Sequence, residues 1–218
     1  MAPHVSQRVA SEALGSFLLA ATVIGSGVLA DRFSPDDGVA LIGNTLATAA
    51  MLFVLVASFG AASGAHFNPA VTLVFALRRE ISARDGLSYT LMQLAGMLAG
   101  AIAAHAMFGL PLIQSATTVR AGFGVALGEF LATFALVLAI LRVRAARPEL
   151  VPAAVALVIA AGYWWTSSTS FANPAITVAR SFTDTFAGVR AADAPVFIAA
   201  QIAGALAASG AAWMFDRR

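Results

Sequence analysis

Six apolar runs of membrane-spanning length divide this chain of 218 residues, and they restrict its fold more than any other feature. A hydrocarbon core of about 30 Å requires about 20 apolar residues of helix. Only 11% of the residues are charged, against about a quarter in soluble domains. The sequence therefore predicts an all-α membrane protein. The predicted spans lie at about residues 9–30, 39–59, 86–108, 122–141, 150–166 and 194–215.

Two further apolar segments, at about 68–77 and 173–182, are too short to span, and each begins with Asn-Pro-Ala. Ten helical residues give about 15 Å, half of the hydrocarbon core. Asn caps a helix well and Pro fits the first helical turn, so each segment is predicted to be a half-helix that starts inside the membrane. The candidate pore residues in these two motifs are Asn68, Pro69, Ala70, Asn173, Pro174 and Ala175.

The sequence repeats, with one copy at about 9–108 and the other at about 122–215, within a single predicted channel domain, 1–218. Glu12 in the first span corresponds to Glu129 in the fourth. Three spans per copy is an odd number, so the second copy must be inverted, which is typical of transport proteins.

Non-helical backbone at membrane depth is buried or lines a wet cavity. The residues leading into the half-helices are therefore predicted to line a path: His66, Phe67, Phe171 and Ala172.

The charges are distributed asymmetrically along the chain. The thirteen basic residues are all arginines, and nine of them fall in four clusters: Arg8; Arg78, Arg79 and Arg84; Arg142, Arg144 and Arg147; Arg217 and Arg218. The alternate loops carry aspartates. The positive-inside rule then predicts a multi-pass protein with both termini in the cytoplasm, and this pattern argues against nucleic acid as a partner.

The sequence lacks the residue patterns that catalysis or metal binding requires. There is no cysteine, which excludes disulfides and thiol chemistry. The three histidines are scattered, and no nucleophile–base pair or three-ligand metal cluster is apparent. We therefore predict that the protein is not an enzyme and uses neither a cofactor nor a metal.

Together these features resemble the major intrinsic protein family, the aquaporins and aquaglyceroporins, over essentially the whole chain. The likeness rests on the paired glutamates, the doubled Asn-Pro-Ala, and the two Gln-x-x-Gly motifs at Gln93 and Gln201. It implies six transmembrane helices plus two re-entrant half-helices, one pore per protomer, a homotetramer in the lipid bilayer, and passive flux of water and small neutral solutes. It also implies that Glu12 and Glu129 are structural supports that accept backbone N–H bonds from the loops before the half-helices.

The sequence departs from the family where the pore is expected to be narrowest. An Arg usually follows the second Asn-Pro-Ala in the family, whereas this chain has Ile176. Counting at family spacing adds Thr48, Ala161 and Ser170 to the selectivity filter. None of the four is charged or aromatic, so a wide filter is expected that passes glycerol-type polyols, metalloid acids such as arsenous acid, methylated arsenicals and water. The residues after Asn173 also resemble a bacterial subgroup linked with arsenic resistance, which implies a bacterial inner membrane.

Two questions stay open at this stage. Arg180 either pairs with Asp184 at the i,i+4 spacing of a helix and braces the outer loop, or reaches back to the constriction as a displaced filter arginine. The rival functions are an ordinary water-selective aquaporin, which would need a bulky aromatic residue and an Arg in the filter, and an ion-coupled secondary transporter, which would need more membrane carboxylates than Glu12 and Glu129. Tyr163, with the two tryptophans that follow it, is assigned to the interfacial aromatic belt.

Overall fold

Eight α-helices make up the computed structural model, which describes residues 4–216. Six are long and apolar enough to cross a membrane, with mean hydropathy between 1.3 and 2.2 over their best 18-residue windows. They are α1 (Val5–Phe33), α2 (Asp37–Ser63), α4 (Ala83–Met107), α5 (Phe123–Ala146), α6 (Val151–Trp165, preceded by the 3-10 turn Pro148–Leu150) and α8 (Ala194–Asp216). The predicted fold class is confirmed, and the described residues contain no strand.

The two short helices are α3 (Pro69–Leu77) and α7 (Pro174–Arg180). Each starts at its proline, and the preceding asparagine accepts a hydrogen bond from a backbone N–H of the first turn: Asn68 Oδ1 from Ala70 N and Asn173 Oδ1 from Ala175 N, both at 2.9 Å. Helix α7 ends two residues earlier than the sequence indicates, at Arg180. The two half-helices are about 14 and 10 Å long, too short to cross a bilayer.

Close packing of small residues joins the long helices in pairs. A Cβ added to Gly100 of α4 would lie 2.2 Å from the carbonyl oxygen of Phe17 in α1. A Cβ on Gly204 of α8 would lie 2.2 Å from the carbonyl oxygen of Phe130 in α5. The same contact thus occurs in both halves of the chain, because only glycine permits these backbones to approach so closely.

The arginine clusters of the first and second halves meet at one end of the helix bundle, which we call the arginine end. Arg8 pairs with Asp85 at 3.3 Å, and Glu80 pairs with Arg144 at 2.5 Å. Arg217 and Arg218 lie outside the described residues. The opposite end, which we call the loop end, is formed by residues 108–122 and 181–193. There the two segments pair through backbone bonds such as Ala116 N to Ser181 O, at 3.1 Å.

Candidate pore and its constrictions

A central cavity passes between the N-termini of α3 and α7. Its walls come from both halves of the chain and are largely aliphatic. The aliphatic lining residues are Leu19, Val23, Leu52, Val56, Val71, Leu136, Ile140, Val155, Ile159 and Ile176. The predicted residues His66, Phe67, Phe171 and Ala172 line it too, as do both capping asparagines.

The two asparagines lock the halves together at the middle of the cavity. Asn68 Nδ2 donates to Ala172 O, and Asn173 Nδ2 donates to Phe67 O, each at 2.7 Å. Each amide oxygen is used in capping its own half-helix. Since an amide nitrogen carries two hydrogens, each asparagine keeps one further N–H for an oxygen in the cavity.

The backbone before each half-helix adopts an unusual conformation. Phe67 and Ala172 occupy matching positions in the two halves and have φ of 47° and 49°. This left-handed region is costly for residues other than glycine. Gly15 makes room for the Phe67 ring, because a Cβ there would lie 2.0 Å from it.

Glu12 supports the first of these loops. The carboxylate is 0% exposed and accepts bonds from the backbone N–H groups of His66 (3.0 Å) and Phe67 (2.7 Å). Ser63 Oγ and Gln93 Nε2 donate to the same carboxylate, at 2.6 and 2.7 Å. All of these donors belong to the protein itself, so the carboxylate acts as a structural support (a strut) that holds the loop before α3 in place.

Glu129 holds the second loop in the same way. It is 0% exposed and accepts from the backbone N–H groups of Phe171 and Ala172, both at 2.9 Å. Gln201 Nε2 also donates to it, at 2.5 Å. The structure therefore places both glutamates where the sequence expected them.

Three of the four predicted filter residues, Thr48, Ser170 and Ile176, line the cavity, but Ala161 does not. Ala161 is exposed on the outer face of α6. The gapless count fails because Val155, Ile159 and Tyr163 form the inward stripe of α6, and residue 161 is rotated about 200° from its neighbours in that stripe. The assignment of Ala161 to the filter is therefore wrong.

Tyr163 takes the place on α6 that was assigned to Ala161. It is buried rather than interfacial, and its hydroxyl donates to Thr48 Oγ1 at 3.4 Å. A bulky aromatic side chain thus stands beside Thr48 and Ile176 in the cavity wall, whereas a filter without an aromatic residue was expected. The repeat of four residues from Val155 through Ile159 to Tyr163 was the signal in the sequence that could have revealed it.

The predicted ion pair between Arg180 and Asp184 does not form among the described residues. Arg180 is 3% exposed, lines the cavity and donates through Nε to Ala187 O. Asp184 is exposed and accepts from the backbone N–H and hydroxyl of Thr117, at 2.9 and 2.8 Å. The helical i,i+4 geometry is lost because α7 ends at Arg180. Asp184 still braces the loop end, through Thr117.

His66 occupies a packed site at the arginine side of the cavity. Its ring lies 4.6 Å from that of Phe75 and 5.5 Å from that of Tyr89, measured between centroids. Its Nδ1 lies 3.1 Å from Thr72 Oγ1. Across residues 4–216 there is no group of three or more side chains that could bind a metal.

Comparison with known proteins agrees with this geometry. A family model described as "Major intrinsic protein" matches residues 2–166. The aquaglyceroporin AqpS of Rhizobium meliloti (strain 1021) is 50% identical over 204 residues, which cover 94% of this chain and 88% of that protein. Aquaporin PIP2-7 of Arabidopsis thaliana is 39% identical over 127 residues, 56% of this chain and 44% of that protein.

Among solved structures, the X-ray structure of the aquaglyceroporin from Plasmodium falciparum has the same fold. Its TM-score is 0.69 with 95% of both chains covered, at 18% sequence identity. The six spans and the two half-helices therefore form a known membrane architecture.

Proposed function

Because this chain belongs to the major intrinsic protein family, whose members are passive channels rather than enzymes, we propose that it conducts small neutral solutes across a bacterial inner membrane. The proposed solutes are glycerol-type polyols, metalloid acids such as arsenous acid, methylated arsenicals, and water. The whole chain, 1–218, would form one channel domain, assembled as a homotetramer with its termini and arginine end in the cytoplasm.

The observation that carries this proposal is the pair of asparagine amides beside the cavity. A solute oxygen that has shed its water can accept a bond from the remaining N–H of Asn68 and then of Asn173. The N-termini of both half-helices point at the same place, and each carries about half a positive charge. Cations are therefore disfavoured there, while neutral hydroxyl compounds find donors.

The cavity residues near the loop end suit a solute that has both an apolar side and a hydroxyl-bearing side. Ile176 provides an apolar wall. Thr48 brings a hydroxyl to the cavity wall, whereas the Oγ of Ser170, which has no hydrogen-bond partner in residues 4–216, is buried against Gly162. A polyol presents both kinds of surface, so it would lose less on leaving water than it would in an entirely apolar pore.

A water-selective channel is the second candidate, and a specific observation favours it. Tyr163 and Arg180 bring an aromatic ring and a guanidinium to the cavity, and this combination narrows a pore. An ion-coupled transporter is disfavoured, because the carboxylates of Glu12 and Glu129 are fully engaged as struts.

Stopped-flow light scattering on proteoliposomes tests the proposal. The permeabilities to water, glycerol and arsenous acid are compared with those of empty liposomes. We expect solute permeability well above the lipid background, with an activation energy close to that of free diffusion. Fast water flux with solute flux at background would instead establish the water-selective channel.

A further inference from the structure

A series of side-chain hydrogen bonds runs from the buried Glu12 to the cavity, beside the first half-helix. Gln93 Nε2 donates to Glu12 Oε2 at 2.7 Å and lies 2.9 Å from Thr72 Oγ1. Thr72 Oγ1 in turn lies 3.1 Å from Nδ1 of His66. All four side chains are buried, and of the four only His66 lines the cavity. The series therefore links a fixed carboxylate to a ring at the cavity wall.

The direction of each hydrogen bond follows from what the groups can donate. The Glu12 carboxylate only accepts, so the nitrogen of the Gln93 amide, rather than its oxygen, must face it. The same nitrogen gives its second hydrogen to Thr72 Oγ1. The Thr72 hydroxyl then has one hydrogen to donate, and within residues 4–216 the acceptor that it finds is Nδ1 of His66. A buried hydroxyl without an acceptor would be costly, so Thr72 donates to the imidazole.

The second half of the chain shows the arrangement without a histidine. Thr177 corresponds to Thr72, and it also accepts a bond from a buried glutamine, at 2.9 Å. Its hydroxyl, however, donates to Asn173 O of its own half-helix, at 2.8 Å. Phe171 stands at the position that corresponds to His66 and offers no nitrogen acceptor. The histidine therefore explains why the Thr72 hydroxyl bonds to a side chain rather than to its own helix.

The other ring nitrogen of His66 is open to the cavity. Nε2 makes no hydrogen bond to any of residues 4–216, and it is not one of the fully buried atoms that lack a partner. Gly64 leaves it uncovered, because a Cβ there would lie 3.1 Å from Nε2. A neutral imidazole that accepts at Nδ1 carries its hydrogen on Nε2, so the atom that faces the cavity is a donor.

From this geometry we infer that His66 contacts the solute as an Nε2–H donor, and that Thr72 and Gln93 are positioning residues that fix this tautomer. A hydroxyl oxygen of a neutral solute on the arginine side of the cavity accepts from Nε2, before or after it meets Asn68. The lone pair of the imidazole is on Nδ1, where Thr72 donates to it, so the ring does not accept a proton from water in the cavity. This inference rests on the proposed channel function.

Solid-state NMR of the imidazole nitrogens, on histidine-labelled protein in lipid, measures the tautomer directly. The chain has three histidines, and His4→Gln removes the exposed one. His105 is an internal reference, because its Nδ1 lies 2.8 Å from Leu112 O, and a carbonyl oxygen only accepts. We expect opposite tautomers, with the hydrogen on Nε2 in His66 and on Nδ1 in His105.

Two threonine variants separate positioning from support of the fold. Thr72→Val removes the hydroxyl that donates to His66, and Thr177→Val is the matched control, because it removes the corresponding hydroxyl where no histidine accepts from it. We expect Thr72→Val to give a mixture of His66 tautomers and to lower stopped-flow glycerol permeability about threefold, since part of the population loses one donor. Thr177→Val and Thr72→Ser should match wild type in both measurements.

A wild-type spectrum with the hydrogen of His66 on Nδ1 would overturn the inference, and this measurement decides even if Thr72→Val does not fold. A Thr72→Val protein whose His66 signals match wild type would refute the positioning role of Thr72. A changed tautomer with unchanged glycerol permeability would refute the contact between His66 and the solute. Wild-type vesicles with no flux above empty liposomes would instead refute the channel function, while the spectrum would still report the tautomer.

Discussion

At the scale of single residues, Ile176 directly follows the second Asn-Pro-Ala, where the family resemblance implies an arginine. It lines the cavity with Arg180, so an arginine introduced there would add bulk and a second guanidinium to the cavity wall. We expect Ile176→Arg to lower glycerol permeability about tenfold and water permeability much less. Stopped-flow measurements with Ile176→Val as the control check this, and equal losses for both solutes would contradict the placement of residue 176 in the filter.

Asn173 allows a second residue-level prediction. In Asn173→Asp the side chain loses the N–H that donates to Phe67 O, and it gains a negative charge that offsets the positive ends of the half-helices. We expect sodium and proton leak through proteoliposomes to rise. Asn173→Ala separates the two effects, since it removes the donor without adding charge. A leak equal to that of wild type in both variants would argue against cation exclusion at this residue.

At the scale of helices, the contact between α5 and α8 depends on Gly204. An alanine there would place its Cβ 2.2 Å from Phe130 O, so the helices must separate. We expect Gly204→Ala to lower the free energy of unfolding by about 1–3 kcal/mol, measured by thermal unfolding in detergent. Gly210 of the same helix has nothing within 4 Å of an added Cβ, so Gly210→Ala is the control and should be neutral or stabilising.

The loop end should respond to acid. The backbone N–H and hydroxyl of Thr117 hold the pKa of Asp184 below its ordinary value of 3.8, and the Arg190 guanidinium does the same for the pKa of Asp193. A carboxylate with a depressed pKa stabilises the fold above its ordinary pKa, and this contribution is lost as the pH falls through the folded value.

The difference in unfolding temperature between wild type and Asp184→Ala should therefore be constant near neutral pH. It should shrink as the pH falls below 3.8. A difference that persists unchanged well below that value would mean that Asp184 does not stabilise the loop end as a charged group.

At the scale of the whole molecule, the architecture could be predicted because its signals are local. Span length, the Asn-Pro starts of α3 and α7, and the repeat of Glu12 in Glu129 are all visible in the sequence. The constriction was predicted less well. Placing Tyr163 rather than Ala161 in the cavity requires the rotation of α6, and the partners of Arg180 depend on where α7 ends. Tertiary packing determines the rotation of α6 and the end of α7, and counting residues along the sequence gives no information about that packing.

Flux through a passive channel does not depend on an ion gradient, and this gives a prediction for the complete protein. Both buried carboxylates are occupied by fixed donors, such as the N–H groups of His66 and Ala172. We therefore expect glycerol flux to be the same with or without a proton or sodium gradient across the vesicle. Accumulation of glycerol above its external concentration when a gradient is imposed would identify a coupled transporter.

The crossed bonds of the two asparagines bear on the synthesis of the protein. Asn173 and the carbonyl oxygen of Phe67 are 106 residues apart, and Asn68 and Ala172 are 104 apart. Chains are synthesised from the N-terminus, and their early parts begin to fold first. The hydrogen bond from the amide of Asn68 to Ala172 O can therefore form only after the second half of the chain has been inserted. A chain stopped midway would lack both crossed bonds, and the loop before α3 would be held only by contacts within the first half, such as those to Glu12.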